Sequence, residues 1–132
     1  MAVTVINTTV AKLNTDQTLT ANAATSTVAG ASEVFTYTPK AATGKVALIL
    51  QSSSTGVVPA TYSIAAGDLW ASGAITGTIG STAAAKAIEV VEIETAKVLQ
   101  DDGTIAITAG PGSSTLKLKD NHALKLYALE LL

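Results

Sequence analysis

Residues 45–51, which read Lys-Val-Ala-Leu-Ile-Leu-Gln, constrain the fold more than any other stretch of this chain. Between positions 46 and 50 the side chains of both parities are apolar, so a strand here turns apolar side chains to both faces of its sheet. Strands of this kind are covered on both faces, or nearly so. The stretch therefore predicts a strand at the centre of a β-sheet core.

A second strand is predicted just before it, over residues 33–38, where Phe35 and Tyr37 share one face. The polar connection between the two strands starts with Pro39 and ends with Gly44. Proline presets φ and glycine supplies a positive φ, and turns need both properties. We therefore expect these strands to form an antiparallel hairpin at the centre of the fold.

Further short runs with strand character are separated by turn residues along the rest of the chain. They cover residues 3–5, 60–64, 75–79, 104–108, 116–119 and 123–132. Because proline cannot donate to a ladder, the strand near Pro59 is expected to begin after it or to lie at an edge. About eight strands in total predict an all-β fold, a single antiparallel β-sandwich with a jelly-roll or an Ig-like connection. The last run also permits a helix, since it is rich in Ala and Leu.

Residues 83–100 fit either a helix or a strand. The spacing of Ile88, Val91 and Val98 is near helical, and residues 83–87 favour a helix. As a strand, the segment changes phase at residues 90–91, which a bulge would accommodate. The density of Val and Ile favours the strand, and the turn sequence at 101–103 would then make a hairpin of residues 96–100 and 104–108.

The first 30 residues differ from the rest, because their apolar side chains are thinly spaced among Ala, Thr and Asn. We expect residues 1–30 to form an extended N-terminal arm or edge segment and residues 31–132 to form the sandwich domain. The segment either packs on its own domain or lies on a neighbouring molecule. It has no charged n-region and no continuous apolar stretch, so it does not read as a signal peptide, and synthesis in a cytoplasm without export is expected.

The composition argues against several classes of partner. Charged residues make up 14% of the chain, against roughly 25% in a typical soluble domain, and 20 residues are threonine. A neutral, Thr-rich surface suits a protein that lies against other protein. All eight basic residues are Lys, and the absence of Arg and of any basic run argues against nucleic-acid binding. No run of 18 apolar residues occurs, so no membrane span is expected.

Few residues are candidates for chemistry. The single His122 could pair with Asp120 as an acid and base, although a polar turn before the last strand explains both. Since the chain has one His and no Cys, neither a His-based nor a Cys-ligated metal site is expected. Five acidic residues lie between 89 and 102, too few and too spread for a calcium loop. We expect no enzyme activity, no metal and no cofactor.

The only tryptophan, Trp70, lies in a stretch of small residues between two glycines. It could plug the edge of the core, contact another protein or stack on a small ligand. One Phe and three Tyr are the only other aromatic residues, so no aromatic platform for sugars is evident.

Several segments occur in an order that resembles the small head decoration, or auxiliary capsid, proteins of tailed bacteriophages and prophages. The matching segments are Glu-Val-Phe-Thr-Tyr-Thr-Pro at 33–39, the apolar strand at 45–51, residues 62–71, residues 94–105, and His-Ala-Leu-Lys at 122–125 before an apolar final strand. They cover most of residues 30–132 and mark strand ends and turns.

This resemblance implies a structural virion protein, made in the host bacterial cytoplasm, that binds the outer surface of the capsid and stabilises the shell. Its partner would be the major capsid protein, and possibly other copies of itself, as a trimer or a monomer on the shell. The candidate contact residues are those of the N-terminal arm and the Trp70 turn: Ala2, Val3, Thr4, Val5, Ile6 and Trp70.

Two other functions remain open. One is another virion component, such as a tail tube or fibre module, although the long hairpin arm usual in tube proteins is not clear here. The other is a bacterial surface or carbohydrate-binding β-sandwich, which would be expected to carry an export signal and an aromatic platform.

Overall fold

The structure, a computed structural model, describes residues 2–6, 8–10, 16–40, 44–53, 58–68, 73–80 and 87–131. Within these residues the chain forms ten strands and one short helix. The elements are β1 (Ala2–Val5), β2 (Thr8–Val10), β3 (Asn22–Ala23), β4 (Glu33–Tyr37), β5 (Lys45–Ser52), β6 (Ala60–Ile64), β7 (Ile75–Ile79), β8 (Ala87–Glu94), α1 (Thr95–Val98), β9 (Ile105–Gly110) and β10 (Lys125–Leu131).

The strands are arranged in two sheets. The first sheet has the order β1-β4-β9-β6-β7, and the second has the order β2-β10-β5-β8, with β3 beside one end of β10. Neighbouring strands are antiparallel except at two places, where β1 runs parallel to β4 and β2 runs parallel to β10. The predicted all-β class is confirmed, but the sheets are mixed where the N-terminal strands join them.

The two sheets contribute to one hydrophobic core. Phe35 and Ile107 come from the first sheet, Leu48 and Leu126 come from the second, and all four side chains are fully buried. Strand β10 buries its even-numbered residues, although both parities of the last run carry apolar side chains. A strand, not a helix, closes the described chain.

The predicted central hairpin does not form, because β4 and β5 belong to different sheets. Strand β4 pairs with β1 and β9, whereas β5 pairs with β10 and β8. The connection crosses from one sheet to the other, and the amide of Lys40 within it donates to the buried Glu130 carboxylate of β10 at 2.7 Å. At seven residues, 38–44, it is also longer than the usual hairpin loop of 2–5 residues.

Residues 87–94 form a strand, as expected, but without the predicted bulge. Its pairing with β5 runs without interruption from Ala87 opposite Ser52 to Glu94 opposite Lys45. The change of phase is accommodated differently: Ile88 and Val90 simply point outward and are exposed. The change of phase therefore reflects two apolar residues on the surface, and the strand stays regular.

Two further predicted strands are wrong. Residues 95–98 form α1 instead of pairing with β9, although the turn at 101–103 does form, with Gln100 and Thr104 bonded across it at 2.8 Å. The segment 116–119 lies in a series of turns, in which the amide of Asn121 donates to the carbonyl of Lys117. Leu118 is buried there without belonging to a sheet.

The N-terminal strands attach to both sheets. β1 lies at the edge of the first sheet, while β2 and β3 lie beside β10 in the second. Between β1 and β2 the chain passes through Ile6, which is in the core and whose amide donates to the Thr36 carbonyl at 2.8 Å.

Candidate functional site

His122 occupies a buried position between three segments and does not pair with Asp120. Its Nε2 lies 2.8 Å from the carbonyl oxygen of Pro111, and its Nδ1 lies 3.4 Å from the hydroxyl of Ser52. Asp120 instead lies on the surface, 4.0 Å from the ammonium of Lys117. The predicted turn before β10 is present, and the hypothetical acid–base pair is not.

The contacts of His122 are those of a structural residue. A carbonyl oxygen only accepts, so Nε2 must carry a proton and donate to Pro111. The Ser52 hydroxyl also lies 3.3 Å from the carbonyl of His122, to which it can donate. A Ser–His contact occurs in hydrolases, but here both side chains are buried and solvent does not reach the pair. The three groups tie the end of β5 to the turns before β10.

The acidic residues between 89 and 102 are dispersed. Glu92 and Glu94 lie on the surface and contact Lys45 and Lys97, at 3.2 and 3.7 Å. Glu89 turns inward and accepts a hydrogen bond from the Gly80 amide at 3.1 Å. Among the described residues no group of three His, Asp or Glu side chains could hold a metal ion.

Asp102 belongs to the turn before β9, as the sequence indicates. Its Oδ1 accepts hydrogen bonds from the hydroxyl and the amide of Thr104, at 2.6 and 3.0 Å. These bonds stabilise the carboxylate form, so the pKa of Asp102 is lowered from its ordinary value. The group therefore stabilises the turn.

A buried carboxylate that the sequence reasoning missed is Glu33, at the start of β4. Its Oε2 accepts from the Thr4 hydroxyl at 2.8 Å, and its Oε1 accepts from the amides of Thr25 and Ser26 at 2.8 and 2.7 Å. The residue ties β1 and the segment after β3 to the first sheet. Its parity was the available signal, since it is in phase with the core residues Phe35 and Tyr37.

The predicted contact residues of the N-terminal arm take alternating positions. Val3 and Val5 are 62% and 68% exposed on the outer side of β1. Ala2 and Thr4 point the other way and are half-buried, and Ile6 is buried in the core, so it offers no surface to a partner in this conformation. Trp70 lies outside the described residues.

The outer side of the first sheet carries no charge at any described strand position. Side chains that pair across strands project to the same side of a sheet. We use the name threonine face for the ten outward residues, which are Val3, Val5, Val34, Thr36, Thr61, Ser63, Thr76, Thr78, Ala106 and Thr108. Hydroxyl and aliphatic side chains alone make up this face.

The outer side of the second sheet is different. Its centre is apolar, and we use the name apolar face for Ala47, Ile49, Ile88, Val90, Tyr127 and Leu129. Ile88 and Val90 are 64% and 63% exposed, and the other four are half-buried. The sequence had suggested that both faces of β5 are covered. In the structure its second face, with Ala47 and Ile49, instead forms part of this outer surface.

Comparison with known proteins found no matching family model, no matching curated protein and no matching solved structure. In the part of the chain that the structure describes, no helix is both long and apolar enough to cross a membrane.

Proposed function

We propose that this chain is a structural protein of a phage virion that attaches to the outer surface of the capsid and stabilises the shell through repeated protein–protein contacts. The observation that carries the proposal is the threonine face, an uncharged surface five strands wide that ends in the exposed Val3 and Val5 of β1. The resemblance of the sequence to head decoration proteins supplies the class of partner, the major capsid protein.

The absence of charge on the threonine face favours contact with protein. A soluble surface usually carries about 25–35% charged residues. The central parts of protein interfaces are depleted of charge, since a buried charge must be desolvated. Threonine hydroxyls can form hydrogen bonds to a partner, and their methyl groups add apolar contact.

Many weak contacts are sufficient for such a function. A shell presents the same binding site many times, and a protein that contacts two neighbouring subunits holds them together. Each copy then needs only moderate affinity, and no reactive group is required. Within this proposal the two sheets form a β-sandwich of jelly-roll or Ig-like type, and the outward valines of β1, Val3 and Val5, are the part of the N-terminal arm that contacts the shell.

Co-sedimentation with capsids tests the proposal. Purified protein is added to heads of the phage whose genome encodes the chain, assembled without it, and the pelleted protein is measured against the major capsid subunit. We expect saturable binding at a fixed ratio. The double variant Val3→Asp/Val5→Asp should abolish binding, because it places two charges on the threonine face.

Val28→Asp is the matched control, since Val28 is 64% exposed in a turn that belongs to neither face. It should bind like the unmodified chain. Failure of the unmodified protein to sediment with the heads would refute the proposal. Equal binding by all variants would show that the shell is contacted elsewhere.

A further inference from the structure

The outer edge of β1 presents backbone groups to which no described residue bonds. Among the described strands β1 pairs with β4 alone, and the amide of Ile6, just after β1, donates to the Thr36 carbonyl at 2.8 Å. Successive residues of a strand turn their N–H and C=O groups to opposite edges. The even-numbered residues of β1 therefore face β4, and the amides and carbonyls of Val3 and Val5 point away from the sheet.

β1 lacks the features that usually protect an edge strand. Natural edges are blunted by charged side chains, prolines, bulges or inward-pointing charges. Strand β8, at an edge of the second sheet, carries three glutamates, and Glu89 among them turns inward. β1 reads Ala-Val-Thr-Val, pairs with β4 without a bulge, and leaves Val3 and Val5 more than 60% exposed. Such an edge is a template for a second uncharged strand.

We propose that two copies of this chain associate edge to edge, with β1 of one copy antiparallel to β1 of the other in one continuous sheet. The outward residues fix the register. In an antiparallel pair, two residues that exchange both backbone hydrogen bonds lie directly opposite each other. Among antiparallel registers, only Val3 opposite Val5 of the second copy uses every outward group of both strands. The twofold axis then passes beside Thr4.

The strand is complementary to itself in this register, as an interface around a twofold axis must be. Four backbone hydrogen bonds form, two for each opposed pair. The exposed valines of the two copies lie side by side, and cross-strand pairs of β-branched residues stabilise a sheet. β1 itself has no charged residue that could repel its copy.

One charge lies near the axis and is already balanced. Glu33 is the only charged residue of β4, the strand next to β1. Its carboxylate is on the β4 side of Thr4 and accepts from that hydroxyl and from the amides of Thr25 and Ser26. Three donors stabilise the buried charge within each copy, so it requires no partner from the other.

The arrangement extends the threonine face. The twofold axis is perpendicular to the sheet, so the outer faces of both copies lie on the same side and form one uncharged surface ten strands wide. Val3 and Val5 bond to the second copy through their backbones, and their side chains stay on the outer face. The association therefore does not rest on binding to a shell, and it leaves the face assigned to the shell accessible.

The short contact indicates a weak dimer. β1 has four residues, so the paired strands are about 13 Å long, which is less than a stable protein interface usually needs. We therefore expect a dissociation constant between about 0.1 and 1 mM. Salt should have little effect on it, since the strand carries no charge.

Sedimentation equilibrium of the full chain, over about 5 µM to 2 mM, tests the association. The mean mass should rise from the monomer toward the dimer. Val5→Pro removes an amide that points to the second copy and that β4 does not use, and edge strands tolerate proline at such positions. It should weaken the dimer about tenfold or more, because two of the four hydrogen bonds are lost. The control Val5→Thr keeps the amide and a β-branched side chain, and it should stay within about threefold of the unmodified chain.

Disulfide trapping identifies the occupant and the register. The chain has no cysteine, so an introduced thiol reacts alone. Val3→Cys protein and Val5→Cys protein, mixed at high concentration and oxidised, should form a covalent dimer, because opposed Cα atoms are about 5.5 Å apart. Each variant by itself should cross-link at least about tenfold more slowly, since identical positions of the two copies lie about 9 Å apart, too far for a disulfide.

Hydrogen exchange separates this contact from any other association. The amides of Val3 and Val5 should exchange more slowly as the concentration rises. The amide of Ile6, which donates to Thr36 within each copy, should be protected equally at all concentrations. Circular dichroism checks that the Val5→Pro and Val5→Thr variants are folded.

Three results would overturn the proposal. The first is a chain that stays monomeric at about 2 mM, and the second is equal association of the Val5→Pro and Val5→Thr variants. The third is a single cysteine variant that cross-links as fast as the mixture. Protection of the two valine amides on capsids alone, with the free chain monomeric, would assign this edge to a strand of the shell and refute self-association. A chain that dimerises but does not sediment with capsids would refute the proposed function alone.

Discussion

Removal of the Thr4 hydroxyl tests whether Glu33 holds the N-terminal strand. The Thr4 hydroxyl donates to Glu33 Oε2 at 2.8 Å, and the carboxylate is fully buried. Valine has nearly the shape of threonine, so Thr4→Val removes the donor and little else. The amides of Thr25 and Ser26 bond to the other oxygen and are left in place.

The expected loss is about 2 kcal/mol. A hydrogen bond to a charged group contributes about 1.5–3 kcal/mol, and a buried oxygen that loses its donor bears most of that cost. The additional methyl group of valine and its strand propensity offset a few tenths of a kcal/mol. For a chain of this length, about 2 kcal/mol corresponds to a decrease in melting temperature of about 4–8 °C.

Urea denaturation measures the loss, and a double-mutant cycle with Glu33→Gln separates the bond from other effects. Thr9→Val is the control, because the Thr9 hydroxyl makes only an exposed contact of 3.5 Å with a carbonyl. It should change stability by less than about 0.5 kcal/mol. Hydrogen exchange at the Ile6 amide, which donates to Thr36, should accelerate in Thr4→Val. Equal costs for Thr4→Val and Thr9→Val, or a coupling energy of zero with Glu33, would refute this account of how β1 is held.

Three other predictions concern stability. His122→Ala should cost about 2–5 kcal/mol in urea denaturation, since it removes a fully buried ring and the donor to a carbonyl; a change under 1 kcal/mol would contradict a structural role. Gly67→Ala should cost about 1–3 kcal/mol in thermal melts, because its Cβ would lie 2.6 Å from a backbone carbonyl oxygen of α1. The control Gly73→Ala should be nearly neutral, since its Cβ would meet nothing within 4 Å. Because hydrogen bonds from Thr104 lower the pKa of Asp102, the folded state gains stability from this group above the unfolded value near 3.8 and loses it as the pH falls below that value. Asp102→Asn should therefore be slightly less stable than the unmodified chain at pH 7, with the difference diminishing at pH 3, and a difference that grows on acidification would refute the sign.

Local patterns in the sequence predicted the strands that alternate clearly. Strand β6 begins directly after Pro59, as the missing amide of proline requires, and the last run forms the strand β10. The Asp-Gly turn before β9 forms with a positive φ at Gly103. Each of these features depends on residues that are near one another in the chain.

Pairing between strands could not be predicted in the same way. The turn residues between β4 and β5 are compatible with a hairpin and equally with a crossing between two sheets. The choice depends on where β9 and β10 pair, more than 50 residues later. Register is set by the burial of whole strand faces, which is a property of the assembled core.

The candidate surfaces also combine features that the sequence indicates with features that depend on strand pairing. The sequence indicated a Thr-rich protein with few charges and with candidate contact residues near its N-terminus, but it counted Ile6 among them, although Ile6 is buried. It contained no sign that Val90, Ile49 and Tyr127 meet on one surface, because they are on three strands that are distant in the chain.

The sequence by itself determined the β class, the inner parity of the clearly alternating strands and the absence of thiol chemistry, because each follows from residue type or from a period of two residues. Only the tertiary structure decided which face of β5 is buried. Both of its parities are apolar, so its own residues favour neither. Strands β8 and β10 set the choice: paired on either side, they direct Leu48 into the core and leave Ile49 on the outer surface.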